Sequence, residues 1–222
     1  MAILFITGID TNIGKTYVTG LLGYYLLQKK KKIITSKLVQ TGDSGIAEDI
    51  KIHRTIMQMA LTPFDKQGLT CPYVFKFASS PHLAAKLEKK TISLPIIDKA
   101  LSELEKNFEL VLLEGAGGIY VPLHKNYTTL DFIAERKYPC LVVSSPKLGS
   151  INHTLLTLAA LQNKKITIKG ILYNLFFEAA NEIKSDTSKI FKTFFPKIPI
   201  INIPTILSNQ TIGPIDFSSL EL

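Results

Sequence analysis

The sequence predicts an α/β fold, a mostly parallel sheet covered by helices on both faces in three layers. Three observations point there. Short, wholly apolar runs such as Leu110–Leu113 and Cys140–Ser144 lack the polar alternation of a strand with one wet face. They alternate with longer stretches of helical periodicity, the pattern of repeated right-handed crossovers. The first run also leads through a glycine-containing turn directly into a helix.

In order, Ala2 to Thr7 reads as a strand ended by Gly8, and Lys15 to Lys29 as a helix. Its Val18, Leu21, Leu22, Tyr25 and Leu26 recur at three- and four-residue steps and form one apolar stripe. Ile33 to Ser36 is the second strand, and Ala47 to Leu61 a helix carried by Ile50, Ile56, Met57 and Ala60. Thr62 to Ser80, with Pro63, Gly68 and Pro72, reads as loop. Helices follow at His82–Lys89 and Pro95–Asn107, then the strand Leu110–Leu113 and the helix Leu130–Arg136. Strands at Cys140–Ser144, Ile168–Tyr173 and Ile198–Ile203 enclose helices at Ile151–Gln162 and Ala179–Phe191. With 222 residues, 46% of them hydrophobic, the chain suffices for one sizeable core, and no linker divides it, so residues 1–222 are expected to form a single domain.

Composition excludes several classes. The formal charge of +8 is nearly all lysine, Arg54 and Arg136 being the only arginines. Nucleic-acid surfaces favour arginine's bidentate fork, so no nucleic-acid partner is expected. The run Lys29 to Lys32 fits a helix end and solvated turn. Two cysteines, Cys71 and Cys140, make neither a disulfide framework nor a cysteine metal cluster. No apolar stretch is long enough for a membrane span, and no basic segment precedes an apolar one at the N-terminus, so a cytoplasmic location is expected.

The strongest chemical signal is Gly8-Ile9-Asp10-Thr11-Asn12-Ile13-Gly14-Lys15-Thr16, between the first strand and the first helix. Five residues separate Gly8 from Gly14 where the plain phosphate loop has four, so this is a variant. Its chemistry is intact: Gly14 permits close backbone approach, Lys15 reaches the β/γ-phosphates and Thr16 offers a hydroxyl to Mg²⁺. Two other strand ends belong beside it. Leu110–Leu113 leads into Glu114-Gly115-Ala116-Gly117-Gly118, presenting a carboxylate of the hard-oxygen type Mg²⁺ prefers. The second strand runs into Ser36-Lys37-Leu38-Val39-Gln40-Thr41-Gly42.

These motifs, with Ser80-Pro81-His82-Leu83-Ala84-Ala85 and Lys147-Leu148-Gly149-Ser150-Ile151-Asn152-His153, resemble the dethiobiotin synthetase family. They run in family order over residues 1–175, and the longer phosphate loop is itself the family form. The resemblance implies a P-loop NTPase-like, seven-stranded sheet and a homodimer with its substrate site near the interface. It implies closure of the ureido ring of dethiobiotin from 7,8-diaminononanoate, CO₂ and ATP, with release of ADP and phosphate. Thr16, Asp49 and Glu114 would hold Mg²⁺, with Glu48 adjacent to Asp49 in a loosely aligned stretch. Thr11, Lys15, Lys37 and Thr41 would surround the carbamate and the transferring phosphoryl group. Asn12, Ile13, Gly14 and Tyr17 complete the nucleotide-binding segment, with Asn174 at the adenine edge and Pro204 opening the adenine-side loop. Ser80 and the Gly117-Gly118 backbone would meet the diamine, and Gly149, Ser150, Ile151 and Asn152 would come from the partner subunit to receive the distal carboxylate.

Two departures stand out. Thr41 occupies a position where many members have serine, and Leu38 replaces a common proline. The first keeps the hydroxyl and the second gives up φ pre-organisation. A partner-positioning nucleotide-switch ATPase is the main competing class. Many of these carry a further lysine in a Lys-Gly-Gly setting, where this chain has Gly8-Ile9-Asp10. A related amide-forming ligase acting on another carboxylic acid is the other alternative.

Overall fold

The computed structural model describes residues 2–205 and 215–222. The first half contains β1 (Ile3–Gly8), α1 (Lys15–Gln28), β2 (Ile33–Lys37), β3 (Gln40–Thr41), α2 (Glu48–Ile56), α3 (Pro63–Lys66), β4 (Val74–Phe75), α4 (Pro81–Leu87) and α5 (Leu94–Asn107). The second contains β5 (Leu110–Glu114), β6 (Pro122–His124), β7 (Tyr127–Thr128), α6 (Thr129–Arg136), β8 (Cys140–Ser144), α7 (Ser150–Asn163), β9 (Ile168–Asn174), α8 (Asn181–Phe194) and β10 (Ile200–Ile203).

Six strands form one parallel sheet in the order β10-β9-β8-β1-β5-β2. Side chains alternate between its faces. Leu4, Ile6, Ile33, Leu110 and Leu112 pack with Val18, Leu21, Leu22 and Leu26 of α1. Phe5, Ile34, Val111 and Leu113 pack on the other side with Ile97, Leu101 and Leu104 of α5 and Phe132 and Ile133 of α6. The apolar runs are buried on both faces, as their composition requires.

The expected elements are present, with informative differences. The main sheet has six strands among the described residues, where the resemblance implied seven. A further extended segment lies beside β2: Lys37 N–H donates to Thr70 O (2.7 Å) and Gln40 N–H to Tyr73 O (2.9 Å). Pro72 has no N–H to donate into such a ladder, and the pairing continues only as the separate β3–β4 ribbon. The region read as loop also holds α3, started by a Thr62–Asp65 capping box with Pro63 in the first turn.

The helix expected to reach Leu61 stops at Ile56. Gln58 takes φ 55°, Gln58 N–H donates to Thr55 O and Met59 N–H to Arg54 O, a Schellman closure without glycine. Helix α1 is buried more widely than its single stripe implied, because α2 covers a second side of it. A Cβ at Gly20 would lie 2.9 Å from Ile56 Cδ1, so the absence of a side chain is what lets the two helices meet.

Behind β2, Arg54 is anchored. Its guanidinium donates to both oxygens of Asp65 (2.9 and 2.7 Å) and to the hydroxyl (2.6 Å) and carbonyl (3.1 Å) of Thr35, tying α2, α3 and β2 together. Both charged groups are buried. Burial alone would raise the Asp65 pKa, but hydrogen bonding and attraction from Arg54 outweigh it and leave the pKa below its ordinary 3.8. Arg54→Met strands a buried carboxylate and is expected to cost about 3–5 kcal/mol in urea unfolding at pH 7. Because Asp65 is depressed, that difference is complete above its ordinary pKa and shrinks as pH falls through the lower folded value. Urea midpoints for both proteins across the acid range check the sign.

Candidate active site

The site stands where β1, β2 and β5 end at the carboxyl edge of the sheet. From Gly8 the chain loops into α1, with left-handed residues at Asn12 (φ 55°) and Gly14 (φ 90°). Such turns direct backbone N–H groups toward a common concavity. At Gly14 a Cβ would lie 2.3 Å from Asn174 Nδ2, so both conformation and space demand glycine. Lys15 opens α1, and its buried Nζ reaches back to donate to Asp10 O (2.7 Å).

Sheet register assembles the charges. The β2–β5 ladder places Lys37 opposite Glu114, so both side chains leave on the face that α2 covers. Lys37 Nζ contacts Glu114 Oε1 (2.7 Å), Asp49 Oδ2 (2.5 Å) and Gly115 O (3.1 Å). Thr16 Oγ1 donates to the same Glu114 oxygen (3.0 Å). Asp49 therefore faces the cleft, whereas Glu48 points outward to Lys51 (3.0 Å), which separates the two adjacent acids.

Burial pulls on Glu114, Lys37 and Lys15. It opposes ionisation of Glu114, yet Lys37 and His53 outweigh it and hold the carboxyl far below its usual range. Burial would likewise depress Lys37, but Glu114 and Asp49 raise it above an ordinary lysine. Lys15 goes the other way: burial and then the like charge of Lys37 bring it down to about 8 against weaker pulls from Glu114, Asp49 and Asp10.

Three hollows adjoin the loop. A cleft of about 470 Å³ is lined by Thr11, Asn12, Gly14, Lys15, Thr16, Tyr17, Lys37, Thr41, Asp49, Glu114 and Gly117, with Val39, Gln40, Ile52 and Ala116. A chamber of about 530 Å³ continues past Thr11, Asn12, Thr41 and Gly117 to Ala78, Ser79, Ser80, Pro81 and Val121. On the other flank of the loop, Asn12, Gly14, Tyr17, Asn174, Phe176 and Phe177 line an apolar pocket of about 250 Å³.

The structure thus brings together most of the residues expected from sequence. Ile13 lies buried beneath the loop, and Gly118 packs behind it against Gly8 and Ile9. Asn174 lines the apolar pocket, but its amide also serves the protein: Nδ2 donates to Ile13 O (3.0 Å) and Oδ1 accepts from Phe176 N–H (3.2 Å). Pro204 is exposed, and the adenine-side segment expected after it falls largely in residues 206–214, outside those described. Gly149, Ser150, Ile151 and Asn152 form the start of α7 and line none of the three hollows of their own chain. Sequence reasoning passed over Gln40, Ile52 and above all His53, whose Nε2 lies 2.8 Å from Glu114 Oε2. The four-residue step from Asp49 to His53 on one helix face was the available signal.

Fold and loop together define a P-loop nucleotide-binding domain, and residues 3–204 match the family model described as an AAA domain. More particularly, the chain belongs to the ATP-dependent dethiobiotin synthetase family. It is 47% identical over 195 residues to ATP-dependent dethiobiotin synthetase BioD 2 of Pasteurella multocida (strain Pm70), covering 88% of this chain and 92% of that protein. It is 42% identical over 208 residues to the BioD protein of Chlorobaculum tepidum, covering 91% and 87%. Among solved structures it is similar to the MinC:MinD cell division protein complex of Aquifex aeolicus (TM-score 0.56, 16% identity, 93% of this chain and 82% of that one). Apo McdA from Cyanthece is also similar (TM-score 0.54, 14% identity, 95% and 87%). At these identities the structural likeness concerns the fold alone.

Gly14→Ala should abolish measurable ADP binding in titration calorimetry. Removing the clash with Asn174→Ala in the same chain should restore little, because the left-handed φ of residue 14 still opposes a side chain.

Proposed function

We propose that this chain catalyses the reaction its relatives are named for, ATP-dependent dethiobiotin synthesis, with the cleft beside the phosphate loop as its active site. The substrates are 7,8-diaminononanoate, CO₂ and ATP. One amine captures CO₂ as a carbamate, losing a proton, and the carbamate attacks the γ-phosphoryl group, displaces ADP and becomes a mixed anhydride. The second amine then attacks the activated carbonyl, closes the five-membered ring and expels phosphate. The observation that carries this reading is the convergence of Lys15, Lys37, Asp49, Glu114 and Thr16 on one cleft continuous with a second chamber.

Each residue has a physical task. Lys15 meets the polyphosphate. Lys37, held charged by two carboxylates, stabilises negative charge as it moves from carbamate to phosphoryl oxygens. Thr11 and Thr41 lie on the wall shared by cleft and chamber, where carbamate and γ-phosphate must meet. Holding both amines near one carbonyl makes ring closure effectively intramolecular. Ser80 and Gly117 line the chamber that suits the diamine, and the apolar pocket beside Tyr17 and Asn174 suits a base.

The donor set fits Mg²⁺. Thr16 offers a hydroxyl and Asp49 and Glu114 offer carboxylates, hard oxygens that leave positions for water and phosphate. Among the described residues no three His, Cys, Asp or Glu side chains gather into an all-protein metal cage. These residues would hold the ion, and the chemistry it would supply is neutralisation of charge on the polyphosphate. A homodimer completes the reading, with the partner's helix start receiving the distal carboxylate. Leu148, 97% exposed immediately before that helix, suits burial against a second subunit. No helix among the described residues is long and apolar enough to cross a membrane, and a cytoplasmic enzyme is the setting proposed.

Incubation with 7,8-diaminononanoate, bicarbonate, ATP and Mg²⁺ should yield dethiobiotin by mass, with ADP formation dependent on the diamine. ATP hydrolysis indifferent to the amine would contradict the reading. Lys37→Ala should lower turnover by about 100-fold or more. Its melting temperature should recover in part with Mg²⁺, which supplies positive charge to two carboxylates left without their ammonium.

A further inference from the structure

The two oxygens of Glu114 meet different surroundings. Oε1 accepts from Lys37 Nζ (2.7 Å) and Thr16 Oγ1 (3.0 Å) on the cleft side. Oε2 lies 2.8 Å from His53 Nε2, and both residues are fully buried. A carboxylate can only accept, so Nε2 carries the hydrogen. The ring does not line the cleft, and its Nδ1 has no partner among the described residues. An unpartnered buried nitrogen is a cost that an aliphatic side chain of similar size would avoid. The imidazole is therefore not explained as filler.

We propose that His53 is a positioning residue for the metal site. By holding Oε2 it turns Oε1 of Glu114 toward the phosphate loop and keeps the carboxylate from rotating. The inference rests on the reading of Thr16, Asp49 and Glu114 as the Mg²⁺ ligands. Asp49 and His53 are one turn apart on α2, so a single rigid helical turn delivers both the second carboxylate and the clamp on the first. Partners that orient ligating groups in this way are worth 10–100-fold in metal affinity or activity.

The test compares the full chain with His53→Leu, which removes the donor at similar volume, and His53→Gln, whose amide can restore an N–H toward Oε2. Mg²⁺ is titrated against ADP binding by calorimetry and against turnover. His53→Leu should raise the Mg²⁺ half-saturation about 10-fold or more in both. Turnover at saturating Mg²⁺ should fall much less, and His53→Gln should recover most of the Mg²⁺ affinity. A folded leucine variant with the parent's half-saturation overturns the proposal. ADP binding by the parent that ignores Mg²⁺ overturns the metal reading first, and this inference with it.

If the leucine variant does not fold, ¹⁵N-histidine spectra of the parent decide. Of the four histidines only His53 is buried. Its Nε2–H signal, protected from solvent exchange, should shift when Mg²⁺ and ADP are added together. An unmoved signal overturns the proposal.

Discussion

A buried carboxylate at the end of a strand governs the functional edge of this molecule. Glu114 has no exposure to solvent, and an ion in such a place is tolerated only when its oxygens are satisfied. The donors come from three elements: Lys37 at the end of β2, Thr16 in the first turn of α1 and His53 on α2. Those elements cannot shift independently without leaving a charge unpaired. The phosphate loop, which begins α1, is thereby tied to the strand that carries Lys37. The same interaction that makes Glu114 tolerable thus sets the spacing between the two lysines of the cleft.

The parts legible in sequence were those whose signal is local. A glycine loop between strand and helix states its own geometry, and an apolar run states that both its faces are covered. The meeting of Lys37 and Glu114 was legible as proximity, since both follow strands that end at one edge. Their direct pairing depends on register, which no single strand encodes. His53 and Arg54 were opaque for the same reason. Their partners Glu114, Thr35 and Asp65 lie on other elements, and in sequence the two read as polar residues on an ordinary amphipathic helix. All six strands of the main sheet were legible as apolar runs, whereas the contact of Thr70 with the end of β2, cut short at Pro72, left no such run. The short β6–β7 hairpin was missed because elements of two and three residues offer no period to detect.

The two lysines, alike in composition, differ in what their neighbours have left undone. Lys37 is enclosed by carboxylates, and its charge is compensated before any substrate arrives. Lys15 is equally buried, but its one hydrogen bond is to a carbonyl, and its nearest strong electrostatic influence is the like charge of Lys37. Desolvation, then the like charge of Lys37, depresses it to about 8, and the pulls of Glu114, Asp49 and Asp10 offset this only in part. On the proposed reading, an incoming polyphosphate would offset that penalty by supplying negative charge. Lys37 gains nothing comparable from a ground-state anion, because its charge is already spent on Glu114 and Asp49. On the proposed reading, a cation held by those carboxylates would free the ammonium for the reacting oxygens. The fold thus pairs one lysine with two carboxylates and leaves its neighbour with a carbonyl alone, the division of labour the proposed reading requires.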